Sequence, residues 1–143
     1  MKTLKKAVLP VVACLLACIM LSNPVMAAST NYFSKSIAKM NSLYGGQSNI
    51  VTVSSGSVSG DSEDRSITSV TFWGRLTSGS SSCIVYITSP KNTTCHATLS
   101  STGTLTFKGF NGEDPEGDWD VYIVSKGTAS TVSSGTLKVN YTY

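Results

Sequence analysis

The chain has 143 residues, with 11 lysines and arginines, 8 aspartates and glutamates and a formal net charge of +3. Three of the lysines lie within the first six residues, so the rest of the chain carries equal numbers of basic and acidic residues. It therefore lacks the positive patch expected of a nucleic-acid-binding protein, and that class is excluded.

The first predicted segment is a secretory signal peptide, residues 1–28, which is removed from the mature protein. A lysine-bearing start, the apolar run Ala7–Leu21 and small residues near the end are typical of such peptides. At about 15 residues, the run is shorter than a membrane-spanning helix requires. Lipid anchoring at Cys14 or Cys18 is the alternative, but apolar residues rather than a polar tether follow both. The sequence therefore predicts a secreted protein without a membrane anchor.

Residues 29–46 are predicted to form a short amphipathic helix. Four large apolar residues recur at helical spacing along one face, and a pair of glycines supplies a stop: Phe33, Ile37, Met40, Tyr44 and Gly45-Gly46. The polar face carries only two cations, Lys35 and Lys39. We therefore expect the helix to pack on the domain rather than on a membrane.

From residue 47 to 143 the hydrophobic period changes to two, which is typical of strands. Seven alternating segments are separated by Gly, Ser, Asn, Asp and Pro clusters: Asn49–Val53, Ile67–Leu76, Cys83–Thr88, Cys95–Leu99, Leu105–Phe110, Trp119–Val124 and Thr136–Tyr143. The predicted fold is all-β, a β-sandwich or jelly roll of about seven to eight antiparallel strands with one N-terminal α-helix.

Two cysteines, Cys83 and Cys95, remain after the signal peptide is removed. In an oxidising compartment they are predicted to form one disulfide. Two unpaired or metal-bound thiols are the alternative; for the metal, only His96 lies nearby and a tetrahedral zinc site needs more ligands.

Two stretches together resemble the P domain of secreted subtilisin-like proprotein convertases. The first contains VTFWGRL and CIVYITSPKNTT. The second places Phe110 and Gly112, then Gly117 and Trp119, before an alternating strand and Ser-Gly-Thr-Leu. The resemblance implies a jelly-roll sandwich that supports or positions a protease, and hence a secreted or cell-surface protein partner. No protease domain precedes it in this chain.

The acidic turn, FNGEDPEGDWD, is the candidate metal site. Calcium prefers carboxylate and carbonyl oxygens, and four residues could supply them: Glu113, Asp114, Glu116 and Asp118. A second acidic loop, Gly60–Arg65, could complete such a site if it lies nearby. The spacing lacks the alternation of an EF-hand, so a water-facing turn without a cofactor is the favoured interpretation, with calcium as the alternative.

Catalysis is not expected. The only histidine, His96, follows a cysteine in a predicted strand, and no Gly-x-Ser-x-Gly elbow occurs. Acids clustered in one turn do not form the two walls of a glycosidase cleft.

Trp73 and Arg75 share the outer face of their strand if Phe72 faces the core, which makes them a candidate ligand platform. Burial of Trp73 beneath the N-terminal helix is the slightly favoured interpretation, because that helix needs an apolar surface to cover. The predicted function is a secreted, non-catalytic binding or accessory domain that associates with a protease or cell-surface partner. The alternative is a carbohydrate-binding module that uses Trp73.

Overall fold

The computed structural model describes residues 27–143, which form two packed β-sheets. Nine strands follow in chain order: β1 Thr30–Ile37, β2 Met40–Leu43, β3 Val51–Ser54, β4 Ser66–Leu76, β5 Cys83–Thr88, β6 Thr94–Leu99, β7 Gly103–Phe107, β8 Asp118–Ser125 and β9 Ala129–Thr142. The predicted all-β sandwich is confirmed. The predicted signal peptide lies outside the described residues, apart from its last two positions. Cys14 and Cys18 therefore also lie outside them.

The first sheet, sheet A, is built around the long strand β9. Its strand order is β1-β9-β4-β7, and β2 pairs with the remaining part of β9. The second sheet, sheet B, has the order β3-β8-β5-β6. The named strand pairs are antiparallel. Across residues 27–143, no helix has the length and hydrophobicity needed to cross a membrane.

The helix predicted for residues 29–46 is wrong, because these residues form β1 and β2 instead. Phe33 and Ile37 face inward along β1, and β2 begins with the buried Met40 after a two-residue break at Ala38 and Lys39. The break places two buried residues three positions apart, which imitates helical spacing. Both strands pair with β9, which satisfies the hydrogen bonds of their backbone groups. This pairing favours two strands over one helix.

The core lies between the sheets and is dominated by aromatic and β-branched side chains. Trp119 at the start of β8 is fully buried, with its ring edge-on to Phe110 at 5.4 Å and to Phe33 at 6.3 Å between centroids. Phe110 is also fully buried. The large apolar area of these rings makes this cluster a major contributor to stability.

Close packing around Phe72 explains a pair of glycines in neighbouring strands. Gly74 of β4 lies opposite Gly135 of β9. A Cβ atom added to Gly135 would lie 2.9 Å from the Phe72 ring, and one added to Gly74 would lie 2.8 Å from the same ring. Because neither glycine has a Cβ atom, the Phe72 ring can occupy the space beside both of them.

Replacing Gly135 by alanine is expected to lower the free energy of unfolding by about 1–3 kcal/mol, the usual cost of overpacking a core. Urea denaturation measures it. Gly79→Ala is not a suitable control, because Gly79 has a φ of 81° and would be strained for another reason. Ser134→Ala, at an exposed neighbouring position, is suitable. Equal stability of the Gly135 and Ser134 variants would contradict the packing argument.

The predicted Cys83–Cys95 disulfide is wrong, since both thiols are free. In the β5–β6 pair, Cys83 lies opposite Leu99 and Cys95 lies opposite Ile87. The two cysteines are thus separated by about 13 Å along the strands, at about 3.3 Å a residue, whereas a disulfide requires Cα atoms less than about 7 Å apart. The hairpin register therefore prevents the bond that cysteine counting predicts.

Burial raises the pKa of the Cys83 thiol from its ordinary value of 9.0 to about 11. Between these values the unfolded chain loses the thiol proton before the folded chain does. The protonated Cys83 thiol therefore makes its full contribution to the free energy of unfolding below pH 9. This contribution is lost as the pH rises to about 11. We expect the stability of the wild-type chain to fall relative to Cys83→Val over this interval. Urea midpoints at several pH values measure the difference, and a constant difference would contradict the assignment.

Candidate functional site

The acidic turn is held to the start of β4 by its backbone. Gly112 N donates to the carbonyl of Ile67 at 2.9 Å, and Ile67 N donates to the carbonyl of Glu113 at 2.9 Å. Trp119 Nε1 donates to the carbonyl of Pro115 at 3.1 Å. Gly117 has a φ of 128°, a conformation that side chains with a Cβ rarely adopt. The turn thus folds back over the tryptophan that follows it.

Arg65 neutralises the acidic turn from the second acidic loop. Its Nη2 atom lies 2.6 Å from Glu116 Oε2, and its Nε atom lies 3.2 Å from Asp114 Oδ1, in a direction not aligned for a hydrogen bond. The side chains of Arg65 and Asp114 are 6% and 15% exposed. The two acidic loops do meet in space, and it is the arginine that joins them.

The remaining calcium candidates have separate surroundings. Glu113 accepts a hydrogen bond from Ser89 Oγ, and Asp118 is exposed at the start of β8. Within the described residues, no group of three or more His, Cys, Asp or Glu side chains is arranged to hold a metal ion. Calcium would have to displace Arg65 from Asp114 and Glu116. Calcium binding stays the untested alternative to a water-facing turn, and titration calorimetry of the purified domain tests it.

The Trp73 face is the outer surface of sheet A. Trp73 is 39% exposed, so it does not lie beneath an N-terminal element, while its neighbour Phe72 is fully buried. Arg75 is exposed on the same side of β4. In register with Trp73 are two threonines, Thr104 of β7 and Thr136 of β9. The structure therefore places the predicted platform pair together on an open, hydroxyl-lined surface.

The tyrosine ladder, Tyr122, Tyr86 and His96, crosses the outer face of sheet B. These residues are in register on β8, β5 and β6. The Tyr86 and Tyr122 rings are stacked, with centroids 4.8 Å apart and planes within 5°, and the His96 ring lies 5.2 Å from Tyr86. Because one face of each tyrosine ring covers the other, the space between the two rings is closed to a ligand.

The next rung of sheet B is also apolar on its outer face. Ile84 of β5 lies opposite Val124 of β8, and both side chains are partly exposed. We call these two residues and the tyrosine ladder the apolar strip. The free faces of antiparallel sheets are usually polar, and contiguous exposed apolar surface marks interaction sites. The apolar strip is therefore the second candidate site.

No family model and no curated protein matches this chain. Among solved structures, it is similar to the protein in "Crystal Structure of FLHE", with a TM-score of 0.53, 15% identity and coverage of 82% of this chain and 99% of that chain. It is also similar to a chain in the complex of Aeromonas sobria serine protease with the chaperone ORF2, with a TM-score of 0.59, 11% identity and coverage of 90% of this chain.

The serine protease of Aeromonas sobria in a separate crystal structure matches with a TM-score of 0.56, 12% identity and coverage of 87% of this chain. In both Aeromonas structures, this chain spans 29% of the matched chain. These similarities show a shared β-rich fold. Membership of the P-domain family stays a prediction.

Sequence reasoning missed two features of the candidate sites, Arg65 and the apolar strip. The strip had a signal: in the segments IVYI, residues 84–87, and VYIV, residues 121–124, the residues on both faces of the strand are apolar or aromatic. For Arg65, the sequence suggested only that its loop could approach the acidic turn. The pairing itself depends on long-range folding.

Proposed function

We propose that this chain is a secreted, non-catalytic domain that binds a protein partner through the apolar strip, and that the partner is a secreted protease. The observation that carries the proposal is the pair of apolar rungs on the outer face of sheet B. On the outer face of sheet A, most positions between Trp73 and the sheet edges carry threonine, serine, lysine or asparagine, so its exposed aromatic residues do not form adjacent apolar rungs of this kind. An apolar strip of this kind gains free energy when a partner covers it.

The chemistry of the strip favours a protein ligand. Tyrosine is enriched at protein interfaces because it combines a large apolar ring with a polar hydroxyl group. Ile84 and Val124 add aliphatic surface beside Tyr86 and Tyr122. Because the ring faces of Tyr86 and Tyr122 cover each other, a sugar could not stack flat between them. This geometry supports a protein rather than a glycan on sheet B.

Two considerations support a protease as the partner. The ordered motifs around Phe110 and Trp119 resemble a domain family that accompanies secreted proteases. The fold is also similar to that of a chain in a solved complex of a serine protease with its chaperone.

A non-catalytic role is supported by the surroundings of His96. Its ring lies 5.2 Å from the Tyr86 ring at an angle of 31°, and within residues 27–143 no side-chain hydrogen bond joins it to a carboxylate. It therefore lacks the oriented base of a hydrolase triad.

Affinity capture tests the proposal. The mature chain is immobilised and exposed to culture fluid from its source organism, and retained proteins are labelled with a fluorophosphonate probe for active serine hydrolases. We expect a labelled protein to be retained by the wild-type chain and lost with Ile84→Lys, which places a charge within the strip.

Thr106→Lys is the matched control, since it adds the same charge to the outer face of sheet A. Both variants must melt within a few degrees of the wild type. Equal retention by the Ile84 and Thr106 variants would assign the contact to another surface. A retained protein without probe labelling, identified by mass spectrometry as a surface protein, would overturn the protease part of the proposal.

A further inference from the structure

We propose that the Trp73 face binds an acidic polysaccharide, as a site separate from the apolar strip. The face lies on sheet A, whereas the strip lies on sheet B, so the two surfaces are on opposite sides of the sandwich. The inference goes beyond the proposed function and does not depend on it.

The surroundings of Trp73 leave its ring open to a ligand. The residues opposite it on β7 and β9, Thr104 and Thr136, are much smaller than an indole. With 39% of its surface exposed, Trp73 is one of only a few large apolar residues in the described chain that contact solvent to this extent. An exposed indole among hydroxyl groups suits a sugar, which offers C–H groups to the ring and hydroxyl groups to threonine.

Hydroxyl and amide side chains continue across the face on either side of Trp73. They form consecutive rungs on β1, β9, β4 and β7: Ser34, Ser36, Ser69, Thr71, Thr104, Thr106, Ser134, Thr136 and Asn140. Each can donate and accept hydrogen bonds without carrying charge. A long ligand with many hydroxyl groups can therefore be bound along the strands, whereas an apolar ligand could not.

Charge is distributed unevenly between the two sheets. Arg75 and Lys138 project from the Trp73 face, and Lys138 Nζ lies 4.1 Å above the Tyr32 ring of the same face. All eight acidic residues of the chain lie within 61–64 and 113–120, in loops or on β8 of sheet B. The face is thus cationic without any competing carboxylate. A ligand with carboxylate groups complements it.

The positions of the two cations favour a chain of sugars over a single sugar. Arg75 lies two residues beyond Trp73 on β4, and Lys138 lies opposite Thr71, two residues before Trp73. Each cation is therefore about 7 Å from Trp73 along the strands, in opposite directions. An open depression of about 600 Å³ beside Arg75, lined also by Leu76, Thr102 and Ser133, extends the surface at that end.

Tryptophan fluorescence tests this proposal directly, because the chain has two tryptophans and only Trp73 is exposed. The mature wild-type chain is titrated with polygalacturonate, and acrylamide quenching is measured with and without it. We expect the accessible fluorescence to become protected. Binding should weaken about tenfold in Trp73→Ala, which a second method such as affinity electrophoresis measures.

Arg75→Gln should weaken binding and reduce its dependence on salt, while Lys126→Ala, which removes a cation from the turn after β8, should leave it unchanged. Neutral dextran should not bind. Equal binding of dextran would overturn the charge argument. Equal binding of polyphosphate, or unchanged affinity in the Trp73 variant, would overturn the sugar argument. Absence of protection by polygalacturonate would overturn the proposal as a whole.

Discussion

Replacing Trp119 by alanine is expected to lower the free energy of unfolding by about 3–5 kcal/mol, the usual cost of deleting a large aromatic side chain from a core. The side chain is fully buried and lies between Phe33 of β1 and Phe110. Its removal would leave a cavity at the contact between the two sheets. Native stabilities are only about 5–15 kcal/mol, so this variant is expected to approach complete unfolding.

Part of the effect comes from a hydrogen bond rather than from packing. Trp119 Nε1 donates to the carbonyl of Pro115, which lies within the acidic turn. An unpaired buried carbonyl costs about 1–3 kcal/mol. Trp119→Phe retains much of the ring but loses the donor, so its stability is expected to lie between those of the wild type and the alanine variant.

Urea denaturation followed by circular dichroism measures these differences. Trp73→Ala is the matched control, because it removes the same side chain from the outer face of sheet A, where 39% of it is exposed, and it is expected to cost clearly less stability than Trp119→Ala. A loss of stability in Trp73→Ala as large as in Trp119→Ala would contradict the assignment of the core to the space between the sheets.

The strands could be predicted because alternation along a single strand is local information. The predicted bounds of Cys83–Thr88 agree with β5, and six other predicted strands overlap β3, β4, β6, β7, β8 and β9. β9 extends further than predicted, beginning at Ala129 rather than Thr136. Its first half, ASTVSSG, is polar, and pairing with β2 and β4 makes it a strand.

Features that depend on register could not be predicted from one sequence. The cysteine spacing is compatible with a disulfide, but the β5–β6 register places the two thiols far apart. The spacing of Ile37 and Met40 fitted a helix until the break between β1 and β2 explained it. In both cases a local sequence pattern was compatible with two structures. Contacts with a distant strand determined which of the two forms.

The candidate sites divide in the same way. Trp73 and Arg75 could be placed on one face because they lie two residues apart on a single strand. The tyrosine ladder needed the alignment of three strands, and Tyr86 and Tyr122 are separated by 36 positions. The acidic turn could be recognised by composition, but its neutralisation by Arg65 depends on the approach of two loops.

Replacing Arg65 by methionine is expected to lower the free energy of unfolding by about 3 kcal/mol, near the lower end of the range for breaking a buried ion pair from one side. Methionine retains an apolar stem in the space that the arginine fills but removes the charge. Asp114, only 15% exposed, would then lack its nearest cation and keep only Lys91, whose Nζ atom is 3.8 Å away. Glu116 is 49% exposed, and water can replace its partner.

A double-mutant cycle with Asp114→Asn separates the ion pair from other effects of losing Arg65. If the pair is coupled as the structure indicates, the double variant is more stable than the sum of the single variants predicts. Glu116→Gln is the control, with an expected change below about 1 kcal/mol because that carboxylate is half-exposed. The coupling should also persist in 0.5 M salt, since buried charges are screened little. A coupling energy near zero would mean that the ion pair between Arg65 and Asp114 does not hold the acidic turn in place.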